Sequence, residues 1–145
     1  MQLAQVNVAR LRQPIDHPDT KEFVDALDPI NALAEASPGF VWRLQDDGGD
    51  ATAIQAYDDE RIIVNLTVWT DADALADFAY RSDHTPYLRR RREWFEKPTE
   101  AIYCLWWVPD GHRPSVAEAV ERLDHLRTHG PTEHSFTFRE AKAAT

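Results

Sequence analysis

An antiparallel α+β fold is predicted by three observations: segments whose side chains alternate in polarity, segments whose apolar residues recur every three or four positions, and the order in which the two kinds follow one another. Leu3-Ala4-Gln5-Val6-Asn7-Val8 alternates and is assigned to a first strand, after which Pro14 and Pro18 mark a loop. Phe23, Leu27, Ile30, Leu33 and Ala34 then fall on one side of a helix that contains Pro29 and stops at Ser37-Pro38-Gly39. Phe40 to Gln45 is a short second strand, and Asp46-Asp47-Gly48-Gly49-Asp50 is an acidic turn. Arg61 to Trp69 is the strongest strand, because Ile62, Ile63, Val64, Thr67 and Val68 are β-branched.

Thr70 or Asp71 is placed to cap a second helix carrying Leu75, Phe78, Ala79 and Tyr80, which resumes beyond Pro86 with Leu88, Arg91, Arg92 and Phe95. A fourth strand runs from Ala101 to Val108 and is closed by Pro109-Asp110-Gly111. Ser115, with Glu118 three residues on, opens a late helix whose apolar stripe is Val116, Ala119, Val120, Leu123 and Leu126, ending at His129-Gly130-Pro131. Ser135 to Arg139 reads as an edge strand or strap, and residues 140–145 as a frayed tail beyond a single domain of residues 1–139.

This β-α-β-β-α-β order with an appended helix is the ferredoxin-like split βαβ arrangement, an antiparallel sheet with helices on one face. On the third strand Ile62, Val64, Leu66 and Val68 are aliphatic and are expected to face the helices; Ile63, Asn65, Thr67 and Trp69 point the other way. Val6 and Val8 match the first set, Gln5 and Asn7 the second. A sheet face mixing polar and aromatic groups needs a cover, and a second copy of the same sheet supplies one, so a homodimer enclosing a cleft is expected.

Composition narrows the classes of function. The 145 residues are 43% hydrophobic, enough for one substantial core. No run approaches the ~18 apolar residues of a membrane span, and Met1-Gln2-Leu3-Ala4-Gln5-Val6 is not a signal peptide, so a cytoplasmic protein is expected. The formal net charge of −9 argues against nucleic acid as a partner. The single cysteine, Cys104, excludes an intramolecular disulfide and a cysteine-cluster metal site, and its neighbours Tyr103 and Leu105 mark it as an inert strand residue.

Against this acidic background one segment is positive. From Arg81 to Lys97 six Lys/Arg stand against three Asp/Glu, giving +3 where the remainder carries −12. The segment also holds His84, Tyr87, Trp94 and Phe95, which makes it a candidate site for an anionic group. Arg89 to Arg92 point around a helix, so at most two of them serve one site. His112, His125, His129 and His134 form no ligand pattern and are assigned to turns or solvent.

Trp69-Thr70, Phe78-Ala79-Tyr80-Arg81-Ser82 with His84, Leu88-Arg89-Arg90-Arg91-Arg92-Glu93-Trp94-Phe95, Leu105-Trp106-Trp107-Val108-Pro109 with Gly111-His112, and Phe136-Thr137-Phe138-Arg139 carry a resemblance. With Glu118-Ala119, Arg122-Leu123, Leu126 and Gly130-Pro131 they span most of the chain from Ile62 to Arg139, and the chain resembles the domain-of-unknown-function 3291 family within the dimeric α+β barrel superfamily. The resemblance implies the barrel architecture and dimerisation. The wider superfamily includes cofactor-free monooxygenases of polyketide pathways and haem-degrading monooxygenases. Its haem degraders use a first-strand asparagine, a third-strand tryptophan and a histidine on the following helix, which here implies Asn7, Trp69 and His84.

Three functions are therefore expected in order. The first is a monooxygenase-like enzyme without a cofactor, acting on an aromatic or anionic small molecule. There Trp69 and Trp94 or Tyr87 stack on the substrate, Asn65 and Asn7 orient it, Thr67 is a further ligand-binding residue, His84 moves a proton, and Arg90 or Arg91 binds negative charge. The second is haem binding through His84, and the third a non-catalytic dimeric binding protein.

Overall fold

The computed structural model describes residues 1–45, 54–81 and 90–143. Four strands form one antiparallel sheet in the order β2-β3-β1-β4, with β1 (Gln2–Arg10), β2 (Phe40–Arg43), β3 (Ile62–Trp69) and β4 (Tyr103–Val108). β1 is central: it pairs with β3 from Leu3↔Trp69 to Arg10↔Ile62 and with β4 from Gln2↔Val108 to Asn7↔Tyr103. β2 joins the far side of β3 through a register irregularity between Phe40 and Trp42.

The helices are α1 (Lys21–Glu35), α2 (Ala72–Arg81), the single turn α3 (Arg91–Trp94), α4 (Val116–His129) and α5 (Phe138–Ala143). Short polar side chains start two of them as the sequence predicts. Asp71 Oδ1 accepts the Ala74 N–H at 2.8 Å, and Ser115 Oγ accepts that of Glu118 at 3.1 Å. The expected acidic turn of residues 46–50 lies outside the described residues, as does most of the segment between α2 and α3.

Alternation along the strands gives the sheet two unlike faces, and both are covered. Val6, Val8, Val64, Leu66, Val68, Cys104 and Trp106 form one core with Ala119, Leu123 and Leu126 of α4. Trp106 fastens that helix further, donating from Nε1 to Glu118 Oε2 at 2.8 Å. Leu3, Trp69 and Leu105 form the second core, against Ala34 of α1 and Ala72 and Leu75 of α2.

The ferredoxin-like α+β fold is thus the one expected, but the assignment of its faces is corrected. Among the described helices only α4 contributes to the core on the aliphatic face, so helices lie on both sides of the sheet. The Asn65–Thr67–Trp69 face, expected to meet a second copy, lies under the chain's own α1 and α2. The physical reason is that α1 and α2 stand partly off the sheet. A helix that encloses a cavity does not demand an aliphatic floor, whereas α4, packed directly on the strands, does.

The C-terminal region is a second correction. Only Phe136 bridges to β4, exchanging both backbone hydrogen bonds with Leu105 at 2.8 and 2.9 Å. Residues beyond it form α5 in place of a frayed tail, with Ala141 completely buried. A small side chain lets that short helix sit tightly beside α2.

Gly39 closes the α1–β2 connection with φ +85° and gives its carbonyl to the Thr70 N–H at 2.8 Å. A Cβ there would meet Ala74 Cβ at 2.4 Å and Thr70 Oγ1 at 2.7 Å. Gly39→Ala is therefore expected to destabilise the fold by about 2–4 kcal/mol in urea unfolding, from the clash and the left-handed backbone together; a change below about 0.5 kcal/mol would contradict this. Burial pushes the Cys104 thiol up to about 12. Folding therefore favours its neutral form, and the corresponding stability is complete below the ordinary thiol range and lost as pH rises toward about 12. Cys104 is expected to react with a disulfide reagent only on unfolding, and reaction of the native protein at the rate of a free thiol would refute the burial argument.

Candidate active site

Between the sheet and the α1/α2 layer lies a cavity of about 580 Å³, inside the range of small-molecule sites. Its roof is built by helical spacing: Phe23, Ala26, Leu27, Ile30 and Ala34 of α1 and Leu75, Phe78 and Ala79 of α2 line it. Its floor is the polar and aromatic sheet face, with Gln5 and Asn7 of β1, Asn65, Thr67 and Trp69 of β3, and Tyr103 and Leu105 of β4.

The floor is graded from closed to open. Trp69 is fully buried and Thr67 and Gln5 nearly so, whereas Asn65 and Asn7, which face each other in the β1–β3 register, are exposed. At the closed end Trp69 stacks on Phe78 at 5.3 Å and meets Phe40 edge-on at 5.5 Å. Its indole Nε1 donates to Thr67 Oγ1 at 2.9 Å. Gln5 Nε2 donates to the same oxygen at 2.9 Å and to Asn65 Oδ1 at 2.6 Å. One continuous hydrogen-bonded chain thus runs along the floor from tryptophan to the mouth.

Backbone pairing at the end of β1 places the mouth's other wall. Arg12 N–H bonds to Trp94 O at 2.8 Å, Glu96 N–H to Arg10 O at 2.9 Å, and Leu11 bridges to Phe95. These bonds hold α3 so that Arg91, Trp94 and Phe95 border the cavity, with Phe23 packed on both Trp94 and Phe95 at 5.7 and 5.1 Å. Arg90 is turned elsewhere. It stacks over Trp94 at 4.8 Å and pairs with Glu93 at 2.7 Å and Glu22 at 2.5 Å, which holds its guanidinium pKa above the usual range. Arg91 makes no ion pair among the described residues. A second cation, Arg43 of β2, lines the cavity while its Nε holds Glu35 at 2.6 Å. Among the described residues no carboxylate lines the cavity.

Of the side chains singled out from sequence, the structure brings Asn7, Asn65, Thr67, Trp69, Arg91 and Trp94 to this one cavity. It leaves Arg90 on its outside, and His84 and Tyr87 lie outside the described residues. Gln5 and Arg43 were missed. Gln5 was legible in principle, since a glutamine alternating with valines on a central strand must find partners for a buried amide. Arg43 carries no such signal in a four-residue edge strand.

Three other histidines gather away from the cavity: His125 lies 4.5 Å from His129 and 4.6 Å from His134, ring to ring, and burial together with these neighbours keeps its pKa below the ordinary value. Among the described residues no group of three side chains is arranged to hold a metal ion. No helix among them is long and apolar enough to cross a membrane.

A split βαβ sheet with a cavity enclosed under its first two helices defines a ferredoxin-like α+β protein with an intramolecular pocket. The chain belongs to the DUF3291 family, a domain of unknown function, matched over residues 2–145. Similar solved structures include SnoaB, a cofactor-independent oxygenase from Streptomyces nogalater, at 20% identity and TM-score 0.50 over 75% of this chain and 94% of that one. A mutant of SnoaB is similar at 19% identity and TM-score 0.50, over 79% and 98% of the two chains. Rv0793 from Mycobacterium tuberculosis is similar at 16% identity and TM-score 0.50, over 78% and 100%. At these identities the likeness establishes the fold. No match is found among curated proteins.

Thr67→Val, which keeps the side-chain shape, is expected to strand the buried Trp69 and Gln5 donors and cost about 1–3 kcal/mol in urea unfolding, while Thr67→Ser stays within about 0.5 kcal/mol of wild type. Equal stability of the two variants would show that Thr67 Oγ1 does not hold the floor together.

Proposed function

We propose that this protein binds one planar aromatic metabolite bearing an acidic oxygen in the cavity beneath α1 and α2, and oxygenates it in a monooxygenase-like reaction without a resident cofactor. The observation that carries the reading is the cavity's division of labour. Aromatic walls at Trp69, Phe78, Phe23 and Trp94 suit a flat ring system, and the amides of Asn65 and Asn7 meet its oxygen at the mouth. Arg91 favours the ligand's anion over its neutral form. The fold it shares with a cofactor-independent oxygenase supports the same reading.

The chemistry balances without an external reductant. An activated methylene loses a proton and its carbanion supplies electrons to dioxygen; overall, the methylene and one dioxygen become a carbonyl and one water. In this scheme the apolar roof admits dioxygen and excludes bulk water, while hydrogen-bond donors and Arg91 stabilise the substrate anion from which the electrons leave. The proton-transfer role of His84 and the stacking role of Tyr87 enter the proposal from the sequence. A homodimer enters it as well, through a surface other than the Asn65–Thr67–Trp69 face; light scattering measures it.

Anthrone, an acidic aromatic ketone with one activated methylene, tests the proposal. Under anaerobic conditions it is expected to quench tryptophan fluorescence saturably, and on admitting air to consume one equivalent of dioxygen with formation of the quinone and no hydrogen peroxide. Asn65→Ala should slow turnover by about 10- to 100-fold. Absence of saturable quenching, or oxidation no faster than in buffer, would overturn the assignment.

A further inference from the structure

We infer that Gln5 is a positioning residue that sets the hydrogen-bonding polarity of the cavity floor, so that the floor offers donors and selects a ligand presenting an anionic or otherwise electron-rich oxygen. The inference rests on the cavity being the ligand site, and it concerns a nearly buried floor residue whose two amide hydrogens are both taken by its neighbours.

The Trp69 indole is a donor only, and it occupies one lone pair of Thr67 Oγ1 at 2.9 Å. Gln5 Nε2 occupies the other, also at 2.9 Å. With both acceptor positions filled, the Thr67 hydroxyl has only its hydrogen left to offer. The second hydrogen of Gln5 Nε2 goes to Asn65 Oδ1 at 2.6 Å. An amide is planar, with oxygen and nitrogen on opposite sides. Capture of the oxygen by the buried Gln5 therefore turns Asn65 Nδ2, a pure donor, away from the strand pair and toward the cavity mouth.

Rotating the Gln5 amide by half a turn would satisfy the same groups in the reverse sense. Thr67 and Asn65 would then donate to Gln5 Oε1, and Asn65 would show its oxygen to the ligand. The orientation present in the structure is the one that matches Arg91, since donors and a cation at one opening recognise the same chemistry. Gln5 has little freedom to move, being 6% exposed on the central strand.

The probe is 4-nitrophenol, whose phenolate is read by absorbance, with tryptophan quenching as a separate measure of occupancy. In the wild-type protein the bound probe is expected to ionise at lower pH than the free probe. Gln5→Met removes both donors without adding charge; it should keep quenching and weaken phenolate affinity about 10-fold relative to neutral phenol. Gln5→Glu accepts where Gln5 donates and should shift ionisation of the bound probe above its free value. If Gln5→Glu does not fold, Gln5→Met decides the matter. Retained quenching with an unchanged ionisation pH in the folded Gln5 variants would refute the role of Gln5 while leaving the cavity intact as a site. Absence of quenching in the wild type would remove the site itself, and this inference with it.

Discussion

Thr67 Oγ1 is the acceptor that allows a tryptophan indole and a glutamine amide to lie beneath two helices without an unpaired proton. Burying either donor unpaired would cost on the order of 1–3 kcal/mol, a large part of the stability of a chain this size. Because one hydroxyl answers both, the sheet can carry polar groups on a face that would otherwise have to be aliphatic. The cavity follows from that: an aliphatic floor would draw α1 and α2 down onto the strands, and a polar floor with its own internal partners does not.

Much of the fold was legible because its signals are local. The alternation in β1, the β-branched run of β3, the Ser115 cap and the stop at Gly130 each follow from side chains within a few positions of one another. The assignment of faces was not local. Which helix takes the aliphatic side of β3 depends on Leu123 and Leu126, far along the chain, competing with Ala34 and Leu75 for the same sheet. An argument confined to apolarity places the internal helices on the most apolar side, and it fails where a helix is there to enclose space.

The site was legible in part for the same reason. Asn65, Thr67 and Trp69 share a strand face by arithmetic, so one cavity wall could be named from spacing alone. The arginine run could be reduced to two residues but not to one. Its outcome depends on Glu22 of α1, which together with Glu93 claims Arg90 and leaves Arg91 beside the opening. Gln5 could be assigned to the same face but not to the site, because its importance lies in cross-strand partners 60 and 62 positions away.

The two-sided burial of β1 has a consequence for how such a chain can diverge. Ala4, Val6 and Val8 answer to the α4 core, while Leu3, Gln5 and Asn7 answer to the opposite layer, and the two sets interleave residue by residue. Substitution at Gln5 or Asn7 can reshape the cavity lining while Ala4, Val6 and Val8 continue to hold the sheet on α4, so the cavity lining and the α4 core are set on alternate positions of a single strand. A sheet of this kind lets its cavity lining vary in small steps while the α4 core stays in place.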